Sequence, residues 1–168
     1  MKKIILITLI LTTLNIFAID KVYYTDTLPK ELTSYDKKAN PHEALSKAMQ
    51  KAKKSGKKIL LIVGGDWCKW CGAMDNFFDD HEEIARDFYG SFEIVRVYYG
   101  KDISKEGKSL LIQFPPLKGT PHFYILDSNA KLLKSVDTAY MERGYGYHRK
   151  KVIEFINQNA KVNIKKEK

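Results

Sequence analysis

An unbroken apolar run, Ile59-Leu60-Leu61-Ile62-Val63, stops at Gly64-Gly65, and Asp66-Trp67-Cys68-Lys69-Trp70-Cys71 follows at once. Five successive apolar residues bounded by turn formers read as a strand covered on both faces. Beyond the glycines, Met74, Phe77 and Phe78 recur at helical spacing. A Cys-x-x-Cys is therefore placed where a strand turns into a helix. The start of a helix carries free N–H groups and partial positive charge, which favour a thiolate. Only the thiolate attacks a disulfide. Cys68 stands at that start, and Cys71, three residues on, shares its helix face. Lys69 adds a cation that tunes the thiol pKa, and the bulky Trp70 shapes the surface a substrate would meet.

Both cysteines of the chain lie in this one motif. A structural disulfide normally closes a long loop, because longer loops constrain the unfolded chain more. A bridge over two residues staples almost nothing. A structural zinc site wants four ligands, and His42, His81, His122 and His148 lack a matching spacing. The expected chemistry is thiol redox, with no metal and no cofactor.

Residues 1–18 form a separate object. Lys2 and Lys3 precede an apolar run over residues 4–17, and the small Ala18 follows. This is the pattern of a secretory signal peptide cleaved after Ala18. The run is shorter than the roughly 20 residues of a spanning helix; an uncleaved anchor is the alternative. Export usually means an oxidising compartment. The 29 basic and 20 acidic residues give a formal charge of +9. The lysines are scattered, so the charge reads as solvated surface rather than a nucleic-acid footprint.

Residues 19–39 read as an N-terminal arm, with Val22-Tyr23-Tyr24 able to form an edge strand. Asn40-Pro41-His42-Glu43 starts a helix, with Asn40 as cap and Glu43 completing a capping box. Ser55-Gly56 ends it. Residues 57–63 and 92–99 read as strands. A helical stretch over 80–88 is expected to use Asp80 as its cap, and Asp66 reads as an acid–base group or, at least as well, as a cap for the helix that follows it. Residues 101–114 are a loop and short helix stopped by Pro115-Pro116. Thr120-Pro121 leads into a strand over 122–126, and 131–137 pairs back as a hairpin. Residues 140–147 are a Gly- and Tyr-rich loop, 149–160 a terminal helix, and 163–168 a polar tail. Alternating units give a parallel part of a sheet and the hairpin an antiparallel part.

That order, with Trp67-Cys68-Lys69-Trp70-Cys71 after the first core strand and Thr120-Pro121 before a later one, resembles the thioredoxin superfamily. It is most similar to secreted bacterial thioredoxin-like proteins with a W-C-x-W-C site. The likeness covers a domain over residues 40–162. It implies an α/β thioredoxin-like fold: a central mixed sheet of four to five strands with helices on both faces. It also implies roles. Cys68 is the exposed nucleophile and Cys71 the buried resolving thiol. Trp67 packs beside the site. Pro121 is cis and sets the Thr120 backbone beside the sulfurs to pair with an incoming peptide. Three departures stand out. Ile62 occupies the place of thioredoxin's buried acid, so proton transfer at the resolving thiol needs another group or water. Asn76 replaces a kinking proline. The stretch from Cys71 to Pro121 is longer.

The expected activity is thiol–disulfide exchange in a periplasmic or otherwise exported space. The protein is expected to be a monomer that reduces protein disulfides or relays electrons to them. A membrane-borne thiol donor would re-reduce it. The alternatives are a disulfide-donating oxidant of the same fold and a non-catalytic peptide-binding module. His122 reads as a strand residue on one sheet surface. Tyr98, Tyr99, Tyr140, Tyr145 and Tyr147 read as core and loop filling rather than a peptide rim.

Overall fold

The computed structural model describes residues 34–160. The expected signal peptide and cleavage point, the expected 22–24 strand and the expected polar tail lie outside the described residues, as does most of the arm. Helix α1 (Pro41–Ser55) begins where Asn40 Oδ1 accepts the His42 N–H at 3.0 Å, with Pro41 at the first helical position. Glu43 accepts from the Asn40 side-chain amide at 3.3 Å instead of reaching the cap's backbone. Gly56 closes the helix at φ 71°, a left-handed conformation that only glycine adopts at little cost.

Strand β1 (Lys58–Gly64) runs into helix α2 (Lys69–Asp80), then helix α3 (Glu82–Ser91) and strand β2 (Phe92–Tyr98). Helix α4 (Lys105–Leu111), strand β3 (His122–Leu126) and strand β4 (Leu132–Asp137) follow. A 3₁₀ turn (Thr138–Met141) and a hairpin of β5 (Glu142–Arg143) and β6 (Gly146–Tyr147) precede helix α5 (Arg149–Asn159). Two expectations are corrected. Asp80 ends α2 and does not cap α3, whose cap position is His81. The loop over 140–147 contains a hairpin whose two-residue strands are too short to leave a periodic signal.

The main sheet has the order β2-β1-β3-β4, with β1 parallel to β2 and antiparallel to β3, and β3 antiparallel to β4. Side chains alternate across it. Leu60 and Ile62 of β1, with Phe123 and Ile125 of β3, face α2, α3 and α5. Ile59, Leu61 and Val63, with Tyr124 and Leu126, face α1 and α4. This is the four-stranded mixed sheet with helices on both faces that the thioredoxin-like pattern implies. Among the described residues, no helix is long and apolar enough to cross a membrane.

The α2 side of the core is aromatic. Phe88 is 1% exposed, and its ring lies 4.6 Å from Phe78 and 6.0 Å from both Phe92 and Phe123, centroid to centroid. One ring thus joins both helices after the cysteines to two strands. Phe88→Ala is expected to lower unfolding stability by about 3–5 kcal/mol, read by urea denaturation. A loss below about 1 kcal/mol would mean that this layer collapses around the gap.

Candidate functional site

The end of β1 determines where the cysteines go. A methyl group built on Gly64 would come 2.5 Å from Cys71 Sγ and 2.7 Å from the Tyr35 hydroxyl oxygen. On Gly65 it would come 2.5 Å from Trp67 Nε1. Any side chain at either glycine would collide with the site, so the chain can carry the cysteines this close to the strand end only with glycine there. Cys68 takes the cap position of α2, and its sulfur accepts the Cys71 N–H at 3.1 Å. Asp66, the expected cap, is exposed and instead accepts the Tyr35 N–H at 3.4 Å.

Cys68 and Cys71 form a disulfide, with Cα atoms 5.2 Å apart. Cys68 is 5% exposed and Cys71 2%. The nucleophile expected to be exposed is thus nearly covered in the disulfide form, because its sulfur folds back over the first turn toward Cys71. The Thr120–Pro121 peptide is cis. It sets the Thr120 carbonyl oxygen 3.3 Å from Cys68 Sγ. Pro121 is buried, and the buried Thr138 hydroxyl donates to its carbonyl at 2.6 Å. The 3₁₀ turn therefore anchors the loop that touches the sulfur.

Trp67 is 56% exposed, and its indole N–H donates to the Tyr99 carbonyl at 2.8 Å. Its ring is pinned at one edge and open to solvent over most of its area. Trp70 is half-buried, edge-on to Tyr147 with centroids 5.9 Å apart, and the Tyr147 hydroxyl donates to the Trp70 carbonyl at 3.2 Å. The β5–β6 hairpin thus braces the first turn of α2, a contact the sequence did not reveal. Lys69 is exposed on the same turn. Of the candidate tyrosines, Tyr98 and Tyr147 are buried, whereas Tyr99, Tyr140 and Tyr145 are exposed. His122 shares Tyr124's side of β3, across the sheet from the cysteines, and pairs with Ser135 Oγ at 2.8 Å. Burial pushes its pKa down, which keeps the ring neutral.

A buried polar group sits behind the disulfide. Arg96 of β2 lies beside Ile62 in the parallel register, on the α2 side of the sheet. Its side chain is 4% exposed and grips Asp75 of α2 through both guanidinium nitrogens, at 3.4 and 2.5 Å. A charge in an apolar slot must be paired, because desolvation is otherwise prohibitive. Burial pushes the Asp75 carboxyl above its usual range, and Arg96 offsets part of that. Tyr35 is 5% exposed in the same core, with the Arg96 guanidinium carbon 5.0 Å from its ring centre. The last part of the arm therefore belongs to the core, not to a separate segment before residue 40. Sequence reasoning missed both residues. The available signals were a lone arginine in an alternating strand and an aromatic just ahead of the first helix.

The arm is also clamped at the surface. Asp102 accepts from the Tyr98 hydroxyl and from Lys37 Nζ, the latter at 3.0 Å. The tyrosine hydroxyl, then the lysine, hold the carboxyl down at about 2. Its contribution is complete above the ordinary value of 3.8 and is lost as the pH falls through about 2. Protection of the Lys37 and Lys38 amides, taken relative to intrinsic exchange at each pH, should fall across that window in the wild type. Asp102→Asn should exchange faster at neutral pH and lack the acid step; an unchanged profile would mean that the clamp does not hold the arm.

A family model described as thioredoxin-like matches residues 40–128. No curated protein matches the sequence. Among solved structures, a disulphide isomerase from Xylella fastidiosa Temecula1 superposes with a TM-score of 0.57 at 23% identity, over 82% of this chain and 100% of that one. The DsbD C-terminal domain from Neisseria meningitidis, in its oxidised form, superposes at 0.52 with 22% identity, over 70% of this chain and 95% of that one. At these identities the likenesses establish the fold. The family match, the sheet order and the disulfide at the head of α2 agree, and the chain belongs to the thioredoxin-like family.

Proposed function

We propose that this protein is a thiol–disulfide oxidoreductase that reduces, or relays electrons to, disulfides of exported proteins. One observation carries the reading. The Cys68 sulfur caps α2 and accepts the Cys71 N–H, with the other sulfur one turn away and the Thr120 carbonyl alongside. The same N–H that contacts Cys68 Sγ in the disulfide would stabilise its thiolate in the dithiol form.

The reaction balances on these atoms. Cys68 thiolate attacks one sulfur of a substrate disulfide; the other substrate sulfur leaves as a thiolate and takes up a proton. Cys71, having lost its proton, attacks Cys68 Sγ. The mixed disulfide breaks, the second substrate thiol departs, and the Cys68–Cys71 disulfide remains. Two electrons from a thiol donor restore the dithiol. A membrane-borne donor fits an exported location, with residues 1–18 as the signal peptide and residues from 34 onward in the folded unit. Trp67 offers an open apolar face to the substrate chain, and the Thr120 backbone pairs with it. The uncovered part of Trp70 borders the same surface, and Lys69 supplies positive charge near the attacking sulfur.

Cys68→Ser should abolish insulin-disulfide reduction with any thiol donor. Cys71→Ala should accumulate covalent mixed disulfides that reductant releases. Wild-type protein that reduces no disulfide under any donor, and a Cys71→Ala variant that captures only non-covalent clients, would make the fold a binding module. Equilibration with glutathione sets the direction: a strongly oxidising couple would reverse the proposed electron flow.

A further inference from the structure

The Tyr35 hydroxyl is buried, and its proton has no acceptor in the disulfide form; the Arg96 guanidinium beside it can only donate. Buried hydroxyls whose proton has no acceptor are rare, because nothing offsets the lost hydration. Its position accounts for it. The hydroxyl oxygen and Cys71 Sγ crowd the same point over Gly64, which has no side chain to separate them. A disulfide sulfur is a poor acceptor; a thiolate is a strong one. The hydroxyl proton therefore lacks an acceptor in one redox state and has a strong one as its neighbour across Gly64 in the other.

We infer that Tyr35 is a hydrogen-bond donor to the resolving sulfur, engaging Cys71 as a thiolate when the disulfide opens, with the buried Arg96 supplying positive charge behind it. The inference rests on the exchange chemistry proposed above. It also answers a problem of that chemistry. Burial alone raises a thiol's pKa and so slows the resolving attack. The position six residues before Cys68 holds Ile62, which cannot exchange a proton. Arg96, beside Ile62 on the neighbouring strand, brings a cation to the same layer. Burial pushes the Tyr35 phenol far above its usual range, with Arg96 offsetting only part, so Tyr35 stays protonated and donates rather than accepts. The proton that Cys71 releases goes to the substrate thiolate freed in the first step or to water. The charged and titratable groups facing Tyr35 are Arg96, Asp75, Tyr89 and Tyr147.

Tyr35→Phe keeps every ring carbon and removes only the oxygen. Reduced protein is mixed with an aromatic disulfide that releases a coloured thiol twice, once on attack by Cys68 and once on resolution by Cys71. In Tyr35→Phe the first phase should be unchanged and the second slowed about tenfold or more, the range of a lost hydrogen bond to a charged group. Unfolding of the disulfide form should change little, since no hydrogen bond donated by Tyr35 is lost there; a purely structural role would weaken both redox forms alike. Equal second phases would overturn the inference and leave the exchange reading intact. A wild type with no first phase would refute the exchange reading itself. A second measurement needs no change at Tyr35. In Cys68→Ala protein, the ultraviolet thiolate absorbance of Cys71 should titrate at or below the ordinary value of about 8.5. A value well above it, as burial alone dictates, would also overturn the inference.

Discussion

The first turn of α2 has N–H groups that no preceding residue of the helix can satisfy, and here a sulfur does the satisfying. Much of the site follows from that one contact. A cap must sit just outside the helix in extended conformation, so Cys68 is held where β1 gives way to α2. Its partner then falls one turn further in, toward the core. The loop before β3 meets the sulfur from the other side, held by a hydroxyl of the 3₁₀ turn. Two segments distant in sequence thereby meet at one atom, and a third anchors one of them. A methyl group on either glycine where β1 ends would crowd the residues packed there.

Behind the sulfurs, the structure bears the cost of a charge in its core. An ion pair with its arginine this deeply buried is weak support for stability, since desolvation takes back much of what the attraction gives. It lies on the same side of the sheet as the cysteines, in an otherwise largely aromatic layer. On the α1 side of the sheet the buried polar group is the neutral pairing of His122 with Ser135, and among the described residues there is no comparable ion pair.

The sheet and the cysteine junction were legible because each rested on a strong local signal. The run over Ile59–Val63, the paired glycines and the Asn40-Pro41 start left little freedom of interpretation, and the elements begin within a residue or two of where the pattern put them. Asp66 and Asp80 misled for one shared reason: an acid near a helix start is a common cap, but the backbone geometry gave the positions to Cys68 and His81. The hairpin that braces Trp70 left no trace, since two-residue strands cannot alternate. Tyr35 and Arg96 were invisible in a different way. Their importance comes from meeting across the fold, and no spacing along the chain encodes that meeting.

Where the family likeness begins, at residue 40, is not where the redox centre begins. The ring that closes the rear of the cysteine pocket comes from upstream of that boundary, and a surface clamp on Lys37 keeps it seated. A chain trimmed to the recognisable domain would keep its sheet and both cysteines yet open a back door to water behind the inner sulfur. The short lead-in is thus a structural stopper. Related chains that share the core but differ in this lead-in can hold the same two cysteines in quite different dielectric surroundings.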